Sequence, residues 1–426
     1  MQERAAGNPR RGSLKRWLDK SFDFSEGLSS PVDGRERPQI PLSRALGAVF
    51  WGSVFRLESA HSMEHSCCSG PLRSRVGPLS EDTIGNALEE MDLESLQRFW
   101  SGILKKAKTK QMLRSDIGGG LLFVCLDGIE IFSSYSRCCD YCLQREVSFK
   151  KEDGAETTYT QYYHRLVVAC LIGCSFPAPV GVEPVLPGED EVAAGTRLLK
   201  KLRRRLGKRF FDVVVADALY ATERFFKFVT GQGWDIVVCL KENQPGLLAE
   251  AGRLTHDREA DYLHEEGERY SRRLWDEFEV YWDAAGASVR VVRSVENKRS
   301  NRIEGGKKTA VFETSENYWL TTLKSVSATS LFTVGKLRWE IDSNLFADLT
   351  SYWGFKHMAV HKPTAYLAVS ALRLMAYLLF HLWVIRQVMS RTTRKLPPLK
   401  EIAQSLYQDL PKPSKRGLSK KAGPPI

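Results

Sequence analysis

Hydrophobic spacing along the chain changes period several times, and each change marks a new kind of element. From Leu42 to Leu57 and from Ser80 to Leu113 apolar residues recur every three or four positions, which predicts amphipathic helices with Ser80 and Asp92 as N-caps. Beyond the hinge Gly118-Gly119-Gly120 the spacing gives way to short apolar runs: LLFVCLDGIEIF from Leu121, then His164 to Cys174, then Val180 to Leu186. Runs of this kind predict buried strands. A helical pattern from Glu191 to Leu206, the strand FFDVVVADALY, the helix TERFFKFVTGQG and the strand WDIVVCLKEN follow. Between 253 and 325 aromatic and charged residues alternate, as in RRLWDEFEVYW and TAVFETSENYWLTTL, the pattern of antiparallel strands with one wet face. Helical spacing returns from Ala328 to Tyr352 and again in the apolar stretch Tyr366 to Ile385.

The order β-β-β-α-β-α-β predicts an α/β fold, an RNase H-like mixed sheet flanked by helices, with a β-rich insertion and an N-terminal helical module. The expected divisions are a basic disordered arm at 1–40, a helical DNA-binding module at 41–117, the first part of the catalytic domain at 118–252, the β-rich insertion at 253–325, the last helices of the catalytic domain at 326–390 and a basic tail at 391–426. Small helical modules commonly enter the major groove of DNA, and they also serve as plain packing units.

Charge and cysteine content narrow the partners. With 62 Lys and Arg against 51 Asp and Glu, the net charge of +11 favours a polyanion, whose condensed counterions are released as phosphates are neutralised. No apolar segment follows the basic N-terminal stretch, which predicts no secretory signal and a cytoplasmic protein. Arg373 and His381 interrupt the apolar stretch of near-membrane length, so a buried helix and no membrane partner are expected. In a reducing compartment nine Cys predict metal ligands or packing residues, not a disulfide framework.

Candidate chemistry sits at strand ends. Asp127 closes the run VCLD and Asp217 closes VVVAD. Phosphodiester chemistry uses two divalent cations about 3.5–4 Å apart, and hard cations such as Mg²⁺ or Mn²⁺ take carboxylate oxygens on rigid supports. On neighbouring strands these two side chains would share an ion. A lone Asp in such a place is otherwise a turn former.

Five blocks, LDGIEIFSSYSRCCDYC, YYHRLVVACL, VVADALYA, CLKEN and RWEIDSNLFADL, stand in this order with the β-rich segment between the last two. They resemble the insertion-sequence-four-like DDE transposases over roughly Leu121 to Leu372. The resemblance implies a Mg²⁺- or Mn²⁺-dependent bacterial DNA transposase, associated with the nucleoid, that acts on element terminal repeats and target DNA. Hydrolysis would free a 3′-OH, which then attacks a second phosphodiester; a homodimer on paired ends and a hairpin intermediate are implied as well. Asp127 and Asp217 would be its first two catalytic, metal-binding acids.

The third acid departs from the family pattern, in which an Arg is followed four residues later by Glu. Here Arg338 is followed by Asp342, the expected third acid and metal ligand. Glu340 is the alternative, although two residues along a helix it points about 200° away. The family's Tyr position holds Gly335 and its later basic position holds Leu349. These departures leave open a decayed or domesticated copy that binds DNA without catalysis, and an RNase H-like nuclease without strand transfer is a further alternative.

Arg338, Lys241, Asn243 and the helical run Lys200, Lys201, Arg203, Arg204 and Arg205 are candidates for DNA contact, against a plain solvated face. Trp339 is expected in the core, with a base-stacking platform as the alternative; Glu189 and Glu191 are expected as charges at a helix N-terminus, with acids that support the metal ligands as the alternative. Cys139 and Cys142 form a CxxC with Cys138 before it and His164 after it, a spacing suited to structural Zn²⁺; free buried thiols are the alternative. In the resembling family a His stands where Cys138 does. His357 and His361 lack the intervening Glu of a catalytic zinc helix and are expected to pack or to contact DNA.

Overall fold

Strand β1 (Phe123–Ser134) begins with four fully buried residues, Phe123 to Leu126, and so can sit only in the middle of a sheet. The structure, a computed structural model, describes residues 13–150, 156–267, 269–304, 307–357, 360–389 and 397–411. After β2 (Leu143–Lys150) the chain returns along β3 (Glu156–Ile172), antiparallel to β1 over its whole length. The first half of β3 also pairs with β2, and its apolar second half with β4 (Ala178–Pro184). β5 (Val213–Ala216) and β6 (Asp235–Leu240) then add parallel to β1 on its other side. The order β4-β3-β1-β5-β6, three antiparallel strands followed by two parallel ones, is RNase H-like. The strand pair β2–β3 is one more than the sequence pattern resolves.

The strands from the alternating segment do not form a separate sheet. β7 (Tyr262–Glu266), β8 (Tyr270–Trp282), β9 (Ala287–Glu304) and β10 (Lys307–Thr321) form an antiparallel meander. The end of β10, Tyr318 to Thr321, pairs with Leu240 to Val237 of β6. One ten-stranded sheet results, because pairing satisfies the backbone edge that β6 would otherwise expose.

Helices cover the sheet. Among them are α1 (Ser13–Phe22), α2 (Leu42–Val54), α3 (Glu81–Glu89), α4 (Leu93–Thr109), α5 (Glu191–Leu206), α6 (Glu223–Gly231), α7 (Pro245–Thr255), α8 (Ala328–Leu337), α9 (Pro363–Trp383) and α10 (Leu399–Gln408). Ser80 and Asp92 accept backbone N–H bonds at the starts of α3 and α4, the N-cap role. The expected disordered arm needs correction from residue 13 on. Leu14, Leu18 and Phe22 recur at four-residue spacing and are buried, so α1 packs onto the helical core. Residues 1–12 lie outside the described residues. The tail is corrected likewise: Ile402, Ala403 and Leu406 of α10 are buried, and Tyr407 bonds Ser66 through its hydroxyl at 2.8 Å. Residues 390–396 and 412–426 lie outside the described residues.

Helix α9 is long and apolar enough by composition to cross a membrane, yet 94% of its most apolar window is buried inside the protein. Its Arg373 is held by the carbonyls of Gly354, His357 and Glu58, which satisfies a cation in the core. The hydrophobic core is continuous from Leu14 to Leu410.

Candidate active site and metal centre

Extending the parallel register of β1 and β5, in which Cys125 lies opposite Val215, by two residues puts Asp127 level with Asp217. Asp217 leaves its strand and caps the short turn Ala218–Tyr220, its Oδ1 accepting the Leu219 N–H at 2.9 Å. Asp127 stays in β1, and its Oδ1 accepts the Gly128 N–H at 2.7 Å.

The third element arrives from the far side of the insertion. After α8 the helix widens into a π turn (Ile341–Phe346), a local irregularity of a kind often found at functional sites. Arg338 Nη1 lies 3.2 Å from Asp127 Oδ2 and 3.6 Å from Asp342 Oδ2, so two carboxylates converge on one guanidinium. Burial, and then the negative charge of Asp342, push the Asp127 carboxyl up to about 7, against the opposing pull of Gly128 and Arg338. The pair, with Asp127 largely covered and Asp342 half exposed, is compensated by the Arg338 guanidinium.

Glu340 faces elsewhere. Its Oε2 accepts weakly from the Gly173 N–H at 3.5 Å, and burial raises its carboxyl. It lines a cavity of about 360 Å³ with Cys174, Asp348 and His381, away from Asp127. Trp339 corrects an expectation: it is 58% exposed, with the Arg338 guanidinium 4.6 Å over its ring.

Beside Asp217 an open groove of about 920 Å³ is lined by Leu219, Thr222, Lys241, Asn243, Leu248 and Tyr318 among others. Asn243 ties its wall together, donating to the carbonyls of Ala218 and Ala221 in the Asp217 loop. Lys241 is exposed there.

The basic run on α5 is largely engaged within the chain. Lys201 pairs with Glu183, Arg204 and the buried Arg205 with Glu94, and Arg203 with Gln232. Lys200 is exposed over the Phe228 ring. At about 1.5 Å of rise per residue the run also lies some 15–20 Å along the helix from its N-terminal end at Glu191.

A second cluster collects four soft ligands. Cys139 Sγ and Cys142 Sγ each lie 3.5 Å from His164 Nε2, Cys142 Sγ is 3.5 Å from His361 Nε2, and the two sulfurs are 3.9 Å apart. A tetrahedral Zn²⁺ with bonds of about 2.0–2.3 Å would space its ligand atoms roughly 3.4–3.8 Å apart, so the set fits. Burial, then His361, push His164 down to about 4, and burial lowers His361; both rings are therefore neutral, the ligand form. Cys138 is corrected: it is exposed and outside the cluster, and His361 takes the fourth place.

The family described as Transposase DDE domain matches residues 144–379, more than half of the chain. The chain belongs to the DDE transposase family. Among solved structures it is similar to the "piggyBac transposase synaptic complex with hairpin DNA", at 11% identity and a TM-score of 0.46, over 93% of this chain and 80% of that one. No curated protein matches.

Two departures of this transposase from the family pattern have a packing cause. A Cβ at Gly335 would overlap the indole of Trp319, so a Tyr has no room there. Leu349 is fully buried, where a basic side chain would lose its hydration. Sequence reasoning set His361 aside as a metal ligand because no HExxH arrangement surrounds it; the residues it joins lie on the other side of the insertion. It also favoured a helix-end charge for Glu191 over an acid supporting the site. Glu191 is only 6% exposed, ion-paired to Arg165 at 2.6 Å, and its carboxyl is raised chiefly by burial.

Proposed function

We propose that this transposase cuts DNA at element terminal repeats and joins the ends to target DNA with Asp127, Asp217 and Asp342 as its catalytic acids. The convergence of Asp127 and Asp342 on Arg338, level with Asp217 on the next strand, carries the reading. These three carboxylates would hold Mg²⁺ or Mn²⁺; the cations, when bound, polarise the scissile phosphate and stabilise the attacking and leaving oxygens. Asp127 within β1 and Asp217 at the exit of β5 stand on paired strands, which keeps those positions rigid. Arg338, released from its acids, is free to take a phosphate oxygen, and the groove with Lys241 and Asn243 offers the strand a path past Asp217. A homodimer on paired ends in the cytoplasm belongs to the same reading. Cys139, Cys142, His164 and His361 would hold a structural Zn²⁺ that ties the hairpin after β1 to the entry of α9, away from the chemistry.

The test uses DNA carrying the inverted repeats that flank the gene, with Mg²⁺ or Mn²⁺ and either wild-type protein or Asp217→Ala. Strand-transfer product made by the wild type and lost in the variant supports the proposal. Cleavage without joining marks a nuclease, and binding without cleavage marks a decayed copy.

A further inference from the structure

Glu191 is a buried carboxylate that the three-acid site leaves unused. It begins α5, where helix termini normally carry solvated charges, but it points inward. Its carboxylate occupies the volume that a Cβ at residue 128 would need, which is a reason for glycine directly after Asp127. Its Oε1 accepts from the Tyr220 hydroxyl at 3.3 Å, and Tyr220 closes the turn that Asp217 caps. Glu191 therefore touches the residue after one acid and the loop of another. Arg165, its ion-pair partner at 2.6 Å, has a 44% exposed side chain and lies on β3 beside β1. The pair is half-compensated: one charge is in the protein and the other reaches water.

We infer that Glu191 is a positioning residue of the cation site, setting the spacing of Asp127 and Asp217 through Gly128 and Tyr220 and adding negative potential that Arg165 partly cancels. The inference rests on the reading of the aspartates as cation ligands. Its electrostatic part has a sign that packing alone lacks. Removing the Glu191 charge weakens cation binding, whereas removing the Arg165 charge strengthens it.

The test is Mn²⁺ binding to the full chain, followed by the electron paramagnetic resonance of free Mn²⁺, with thermal melting as a control for folding. Residues supporting a metal site commonly contribute about 10–100-fold in affinity, so Glu191→Gln is expected to weaken Mn²⁺ binding about tenfold. Arg165→Gln, at a partly exposed position, is expected to tighten it by about twofold to fivefold. Asp217→Ala is the reference for loss of the site. Affinity unchanged in Glu191→Gln, or both substitutions shifting affinity in the same direction, overturns the inference while leaving the aspartates in place. If Glu191→Gln does not fold, Arg165→Gln decides alone: tighter binding supports the inference, and unchanged or weaker binding overturns it. Wild-type protein that binds no Mn²⁺, or binds it as well in Asp217→Ala, overturns the three-aspartate reading and this inference with it.

Discussion

Two clusters of ligand-type side chains, one around Asp127 in β1 and one around His164 in β3, the strand paired with it, are built on opposite principles. The Cys139, Cys142, His164 and His361 cluster is closed, with all four ligand atoms within 4.8 Å of one another. The aspartate cluster is charged and open on one side, with Asp342 half exposed and a groove beside Asp217. Four converging soft ligands leave no position for a substrate, which suits a structural ion. Three carboxylates and a displaceable guanidinium leave room for a phosphate. Both clusters draw one arm from β1 or its hairpin and another from the segment after the insertion. The segment after the insertion thus returns to the sheet at two points, Asp342 beside Asp127 and His361 beside His164.

The comparison breaks most decisively at the acids. Asp127→Ala and Asp217→Ala are expected to lower cleavage of terminal-repeat DNA on the order of a thousandfold or more, with zinc content unchanged by elemental analysis. Loss of zinc together with activity would merge the two clusters into one. At the closed cluster, His361→Ala is expected to abolish stoichiometric zinc and to lower the melting temperature by roughly 5 °C or more, whereas Cys138→Ser leaves both as they are. Zinc retained in His361→Ala and lost in Cys138→Ser would restore the ligand set expected from local spacing.

The pH response separates the clusters by sign. Without divalent cations Asp127 holds its proton to about pH 7 in the folded chain but only to about pH 4 unfolded. Stability from this group is full below pH 4 and is lost as pH rises through 7. The depressed histidines act oppositely: their contribution is present above pH 6.5 and is lost as pH falls toward 4. Asp127→Asn is therefore expected to gain stability relative to wild type as pH rises from 4 to 7, read by metal-free melting curves; parallel curves would remove the raised Asp127 carboxyl from the picture. A smaller effect belongs to the packing of α8 against β10. Gly335→Ala should cost about 1–3 kcal/mol in a denaturant titration through its collision with Trp319, and a neutral result would mean that the indole moves aside.

What the sequence reveals and what it conceals divides along local and distant information. Buried runs announce β1, β5 and β6, and an acid at the end of each of the first two apolar runs singles out Asp127 and Asp217. The helix α1 is hidden by a composition rich in Arg and Gly, although Leu14, Leu18 and Phe22 carry its spacing. Counting charges on α5 overlooks Glu94 and Glu183, which come from other elements to meet Arg204, Arg205 and Lys201. Helix α7 is missed although Pro245 begins it and Leu247 and Ala251 share its buried face. Spacing within one hairpin suggests Cys138, while the fourth member of the cluster is His361, after the insertion. Gly128 carries a legible signal in retrospect, since a glycine inside a strand marks a close approach by something else, here Glu191.

The most direct measurement sets Asp342→Asn beside Glu340→Gln in the strand-transfer assay on DNA with the flanking repeats. Asp342, facing Asp127 across Arg338, is expected to be indispensable: product falls on the order of a hundredfold or more in Asp342→Asn and stays within about twofold of wild type in Glu340→Gln. An active Asp342→Asn, or an inactive Glu340→Gln that still folds, would contradict the site.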